Sequence, residues 1–185
     1  FDDAHAGENY ISKMWSLLIS RSDNKDVYNR IVDLYKEDIP DHLLSTLSDD
    51  SPTPQQKQSV DMLAGPKFFK KTKALSDLLD AVTQNTDLYF PWELIRQKIS
   101  ACNLFFSWSE ILIRPWIPPT LTHSPFADAK QRIYMSATLG AGGELERIIG
   151  VPDIHRIPVP HGWNTQSTGR RLFIFPDRSF QRSVY

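Results

Sequence analysis

One cysteine in 185 residues, Cys102, excludes an internal disulfide and any cysteine-built zinc or iron–sulfur centre within the chain. A lone thiol fits a reducing compartment, so the expectation is a cytoplasmic protein. No apolar run approaches the ~18 residues that cross a bilayer, so no membrane partner is expected. The acidic first residues lack a charged segment followed by an apolar run, so a signal peptide is not expected either. An excess of one charge is missing too: 21 Lys and Arg face 22 Asp and Glu. Any nucleic-acid contact must therefore come from a local patch. A Gly-x-x-x-x-Gly-Lys-Ser/Thr phosphate loop is absent from the chain, as is any internal repeat. The chain opens at Phe1 and stops at Tyr185, soon after the strand-like run Leu172-Phe173-Ile174-Phe175. Both ends read as cuts through a larger protein.

What is present suffices for a core. Hydrophobic residues make up 41% and charged residues 23%, the balance of a soluble globular chain. Helical spacing of Ile11, Met14, Trp15, Leu17 and Leu18 predicts one helix from Glu8 to about Arg21. A second is expected from Lys25 to Lys36, capped by Asn24 or Asp23, and a short third after Pro40. Ser48–Pro54 reads as a loop. Residues 55–84 read as helical with a break at Gly65-Pro66, and Pro91 opens another helix running to about Ser100. The character then changes. Leu104–Arg114 is apolar and aromatic enough for a strand or hairpin, ended by Pro115, Pro118 and Pro119. Short strands are expected at Arg132–Met135, 154–159 and 171–175, with a loop and helix over Gly140–Ile149 stopped by Gly150. The fold class expected is α/β, with a helical insertion between two pieces of one α/β layer.

Two motifs carry chemistry. In Phe1-Asp2-Asp3-Ala4-His5 two carboxylates adjoin. Consecutive residues at a strand end point to opposite sides, so one carboxylate can face Mg²⁺ while the other orients or deprotonates a water. The plain alternative is a solvated turn before a helix, its acids favouring the helix N-terminus. In Ile133-Tyr134-Met135-Ser136-Ala137-Thr138-Leu139-Gly140 an apolar strand ends in small hydroxyl residues beside a glycine turn. Such hydroxyls can sit beside a phosphate site. The alternative is a buried strand entering a turn.

Taken together and in this order, the motifs carry a resemblance. Asp2-Asp3-Ala4-His5 resembles motif II of the DEAD/DEAH-box helicases of superfamily 2, and Ser136-Ala137-Thr138 resembles their motif III. The separation of about 130 residues is similar to the XPD/DinG-like branch, in which a helical arch is inserted between these motifs. The stretch Glu110–Leu121, with its Ile113-Arg114-Pro115-Trp116-Ile117-Pro118-Pro119, is similar in character to the segment by which such an insert returns. Gly169–Pro176 is similar to the first strand of a second RecA-like domain. The motifs themselves cover about eight residues, and the match over the rest is architectural.

The resemblance implies a RecA-like core with residues 1–7 ending the first domain, 8–103 an arch-like insertion, 104–150 the return with motif III, and 151–185 a linker and the start of the second domain. It implies ATP and Mg²⁺ as cofactors, and as partners nucleic acid, DNA ahead of RNA, and the missing parts of the parent chain. Asp2 would bind Mg²⁺ with ATP. Asp3 would stand where the family usually has glutamate, one methylene longer, and activate water. His5 would link the nucleotide to the inter-domain cleft. Ser136, Ala137 and Thr138 would form the segment coupling hydrolysis to strand separation. The expected activity is ATP-dependent unwinding or translocation in the intact parent, with this chain inactive alone because it lacks the phosphate loop. The rival expectation is a non-catalytic helical module that binds protein or nucleic acid.

Other candidates are weaker. Lys67, Lys70, Lys71 and Lys73 with Phe68 and Phe69 combine charge with stacking groups, as single-strand binders do, but more often form a solvated helix face. His5 with Glu8, and Asp153 with His155 and His161, could each supply half of a metal site, but neither shows a full ligand set, so metal binding there is not expected. Among the five tryptophans Trp116, in the proline-rich segment, is the best candidate for exposure. Cys102 reads as a small buried residue. If the two motifs share one core, the backbones of Asp3 and Ser136 should lie on adjacent strand ends, within about 10 Å.

Overall fold

Alternation governs the centre of the chain. Cys102, Leu104 and Phe106 are buried, while Asn103 and Phe105 between them are only partly so. That period of two makes a strand with one face in the core. In the computed structural model, which describes residues 7–135, 143–158 and 161–162, this strand anchors a four-stranded antiparallel sheet. The strands are β1 (Leu17–Ser20), β2 (Val60–Met62), β3 (Cys102–Ser107) and β4 (Glu110–Pro115), in the order β1-β4-β3-β2. β3 and β4 form a hairpin across Trp108-Ser109, with Phe106 opposite Ile111 and Leu104 opposite Ile113. Ser107 Oγ accepts from the Glu110 amide at 3.1 Å and fixes the turn.

β1 lies along the outer side of β4, with Leu17 opposite Ile113 and Ser20 opposite Glu110. The chain that leaves β1 after Ser20 adds β2 and β3 to the same sheet and then runs beside β1 again from Glu110. Residues 21–109 form an excursion whose ends are register neighbours, about 5 Å apart in an antiparallel pair.

Helices fill the excursion: α2 (Lys25–Tyr35), α3 (Asp41–Ser48), α4 (Pro54–Gln58), α5 (Gly65–Lys70), α6 (Thr72–Val82) and α7 (Tyr89–Ile95). Before β1 lies α1 (Gly7–Met14), and after β4 come α8 (Ser124–Ala127) and α9 (Glu144–Ile149). The first of two compact units, residues 1–154, contains all of these elements. In the second, 155–185, residues 155–158 and 161–162 are described and carry neither helix nor strand. Among the described residues no helix is long and apolar enough to cross a membrane.

Helices α2, α5, α6 and α7 cover one face of the sheet. Tyr28, Ile31 and Tyr35 of α2, Phe68 of α5, Leu75 and Leu79 of α6, and Trp92 and Ile95 of α7 are buried with Leu17, Ile19, Leu104, Phe106, Ile111 and Ile113. Three polar devices lock this layer. Asp80 accepts from Trp92 Nε1 at 2.8 Å and from Arg96 Nε and Nη2 at 2.7 and 2.8 Å, tying α6 to α7. Lys71 Nζ reaches the Leu34 carbonyl at 2.9 Å and Asp38 Oδ2 at 2.7 Å, so a cation closes the C-terminal end of α2. Trp108 lies between Arg21 Cζ, 4.6 Å from its ring, and Lys57 Nζ at 4.8 Å, while its Nε1 donates to Asp49 O at 2.7 Å. That stack fastens the Ser48–Pro54 loop to the hairpin turn.

The chain is therefore mixed α/β, with a small antiparallel sheet. Several local expectations need correction. The helix expected over Glu8–Arg21 stops at Met14, because Leu17 and Ile19 bury on one sheet face and Leu18 turns outward. Residues 60–62, expected as helix, add β2 at the sheet edge, where Val60 and Met62 pair with Ser107 and Phe105. Asn24 holds the N-cap position of α2, yet its amide donates to Asp87 at 3.5 Å instead of capping the helix. Arg132–Met135 and 154–158 carry no ladder: Ile133, Met135 and Ile157 are exposed, and Pro158 offers no donor. The strand expected at 171–175 lies outside the described residues. The hairpin within Leu104–Arg114 and the helix stopped by Gly150 are both present.

Gly150 ends α9 with φ +74°, and a Cβ there would run into the Pro118 carbonyl oxygen. Thr120 Oγ1 donates to the Ile149 carbonyl at 2.6 Å, so α9 and the segment after β4 are locked together at this point. A Cβ at Gly143, where φ is +90°, would meet nothing within 4 Å. Gly143→Ala should therefore cost only the ~1 kcal/mol of a left-handed non-glycine residue, and Gly150→Ala clearly more. Urea unfolding of both variants checks the difference; equal midpoints would contradict the packing of Gly150 against Pro118.

Asp80 gives a pH-dependent expectation. The Arg96 guanidinium hydrogen-bonded to it holds its carboxyl below the ordinary carboxylate range. A depressed folded value means the ionised group stabilises the fold above the unfolded pKa of ~3.9 and loses that contribution as pH falls through the folded value. Side-chain exposures of 45% for Arg96 and 35% for Asp80 keep the effect modest. Asp80→Asn should lower the urea midpoint at neutral pH, and the gap to wild type should close between about pH 5 and pH 2.

Candidate functional site

Every residue proposed for nucleotide chemistry falls outside the described residues: Asp2, Asp3 and His5 at one end, Ser136, Ala137 and Thr138 at the other. The expected proximity of Asp3 and Ser136 falls there too. The elements that follow each motif are described. Helix α1 begins at Gly7, two residues after His5, and α9 begins at Glu144, six residues after Thr138. These two helices pack against each other. Ile11 of α1, Trp15 just past it, and Leu145, Ile148 and Ile149 of α9 are all buried in the shared core.

Where α1 and α9 meet the ends of β3 and β4, a pocket of about 90 Å³ opens. Ser12 lines it from α1, Trp15 from just past α1, Asn103 and Phe105 from β3, Arg114 from β4, Trp116 just beyond β4, and Arg147 from α9. Its side chains come from both ends of the sequence and from the middle. Arg114 Cζ sits 5.8 Å from the centroid of the Phe105 ring. Trp116 is 66% exposed, and its amide donates to the Ala101 carbonyl at 3.4 Å, which extends the β3–β4 ladder. Trp15 is 2% exposed and stands edge-on to His123, with ring centroids 5.8 Å apart. Its Nε1 is buried and has no hydrogen-bond partner among the described residues. Sequence singles out Trp116 as the exposed tryptophan; it does not single out the other lining residues, since no local pattern announces them.

Comparison of the chain with protein-family models, curated proteins and solved structures finds no match.

The lysine-rich run takes a structural role. Lys67 Nζ donates to the Asp38 carbonyl at 2.7 Å, Lys71 closes α2, and Lys73 pairs with Asp77 at 3.3 Å. Phe68 is buried against Tyr35, whose ring lies 6.3 Å away, while Phe69 is exposed. Most of this charge is thus engaged within the fold rather than offered to a strand. Among the described residues no group of three or more His, Cys, Asp and Glu could hold a metal, and His5 lies outside them.

Cys102 faces the core at the start of β3, and burial pushes its thiol up to about 12. A thiolate is the reactive form, so the native protein should react negligibly with a disulfide reagent at about pH 8 and fully in denaturant. Rapid labelling of the native chain would show that Cys102 is not in this environment.

Proposed function

We propose that this chain is part of an ATP-dependent nucleic-acid helicase or translocase, a RecA-like core interrupted between its second and third motifs by a mainly helical insertion. The observation that carries the proposal is the ordered pair Asp2-Asp3-Ala4-His5 and Ser136-Ala137-Thr138, with a mainly helical stretch between them whose first and last strands pair. An insertion must leave and re-enter its host at neighbouring points. Pairing of Ser20 with Glu110, just past the end of the expected 8–103 insertion, supports such a return, and the packing of α1 against α9 brings together the elements that follow the two motifs.

The donor set suits the cofactors. Asp2 and Asp3 offer the anionic oxygens that a hard cation prefers. Mg²⁺ bound with ATP supplies neutralisation of charge on the phosphates. In this proposal Asp2 holds the metal. Asp3 orients the attacking water and takes its proton, at the shorter reach of aspartate. His5 connects the site to the inter-domain cleft, and Ser136, Ala137 and Thr138 couple turnover to strand separation. No phosphate loop occurs in the 185 residues, so hydrolysis needs one supplied from beyond them. The setting proposed is cytoplasmic, with DNA as the strand ahead of RNA. A helical binding module without catalysis is the rival, and the same assay separates the two.

Paired assays of ATP turnover and duplex unwinding on the full-length protein provide that test. Asp2→Asn should abolish strand-stimulated turnover, because a neutral amide holds the metal poorly. Asp3→Asn should lower turnover by ~10²–10⁴-fold and leave ATP binding largely intact. Ser136→Ala with Thr138→Ala should keep hydrolysis and lose unwinding. Wild-type turnover in Asp2→Asn would remove the motif assignment and leave the binding module.

A further inference from the structure

We infer that the pocket between α1, α9 and the ends of β3 and β4 holds a phosphate group of a single nucleic-acid strand, with an adjoining base stacked on Trp116. The inference rests on the nucleic-acid reading above and names binding residues other than those of the two motifs.

Donors dominate the lining. The buried Trp15 Nε1 can only donate, and it lacks a partner among the described residues. Arg114 and Arg147 can only donate, and both are cationic. Asn103 and Ser12 can each donate as well, and no carboxylate lines the pocket. A buried indole N–H left unpaired costs free energy, and the arginines and the amide of the lining are the groups that favour an acceptor from outside. The complementary occupant is compact, anionic and rich in acceptor oxygens, as a phosphate is.

The rim supplies the second half of the recognition. Trp116 is exposed at the pocket edge, and its backbone is held to Ala101 at the end of the sheet. Phe105 lies beneath Arg114. A cationic recess for phosphate beside an aromatic face for a base is the pairing that single-strand binders use without reading sequence. The net charge of −1 makes a confined recess of this kind the way such a chain would engage a polyanion. An acidic peptide would satisfy the arginines but leave Trp116 without a planar partner.

The test is fluorescence anisotropy of a labelled oligothymidine on the full-length protein without ATP, for wild type, Arg114→Gln, Trp116→Ala and Trp15→Phe. Arg114 and Trp116 are exposed, so thermal melts of their variants should stay near wild type; Trp15 is core, so Trp15→Phe should melt somewhat lower and is compared at a temperature where it is folded. Trp116→Ala should weaken binding by roughly ten-fold, the usual scale for one lost base stack. Arg114→Gln should weaken it and flatten the dependence of log affinity on log salt by ~0.7, as for one phosphate contact to a single strand. Trp15→Phe should also weaken binding. Wild-type affinity in all three variants would overturn the site; if Asp2→Asn still abolished ATP turnover, the helicase reading would stand without it. Equal competition by inorganic phosphate and by oligothymidine, or preference for a polyglutamate peptide, would also overturn it.

Discussion

The pairing of β1 with β4 is the constraint on which the rest of the fold depends. It joins residues 17–20 to residues 110–113, across about ninety positions of sequence. Such closure costs chain entropy that grows only slowly with length, so a long excursion is tolerated once its ends are held. Leu17, Ile19, Ile111 and Ile113, all fully buried, supply the hold by facing one core. Helices α2, α5, α6 and α7 then need only cover that face, and they do so through buried apolar side chains. Tyr28 illustrates the dependence: its hydroxyl donates to the Ser107 carbonyl at 2.8 Å, so α2 is registered on the hairpin directly.

Charge is used in the same economical way. Arg21, first residue after β1, lies over both Tyr28 and Trp108 and donates to the Leu47 carbonyl at 3.1 Å. Lys71 closes α2, and Asp80 joins two helices. These residues hold polar chain ends and loops against an apolar layer, where unpaired carbonyls would be costly. Because so many cations serve the interior, the ones that line the pocket are set apart by position. Arg114 and Arg147 sit on the opposite side of the sheet from the helical layer, with Asn103 and Phe105.

Much of this architecture is legible in the sequence, and the failures have physical causes. The β3–β4 hairpin announces itself because Leu104, Phe106, Ile111 and Ile113 alternate with less buried neighbours around a short turn. Helices α2, α3 and α6 announce themselves by apolar spacing. Leu17-Leu18-Ile19 misleads, because it continues the helical spacing of Ile11, Met14 and Trp15; only a partner strand about ninety residues away decides that it alternates. β2 is three residues at a sheet edge, too short to carry a period. The lysine run reads as a solvated face, since the carbonyls it satisfies, those of Leu34 and Asp38, lie about thirty residues earlier. The two motifs proposed for nucleotide chemistry are read from sequence alone and lie outside the described residues.

The pocket is illegible for a deeper reason. Trp15 belongs to a helical pattern in which an indole is simply core, and nothing local says whether its N–H finds an acceptor. That depends on Asn103, Arg114 and Arg147, brought beside it by the pairing of β1 with β4 and the packing of α1 on α9. The same contacts that close the excursion therefore assemble the pocket at its base. A rearrangement of α1 against α9 would change the spacing of Trp15 and Arg147, the one just past the helix that follows the acidic motif and the other on the helix after the hydroxyl motif. Occupancy of the pocket and the geometry between those two helices are linked by that shared wall, so a group bound there would favour one arrangement of the two over others.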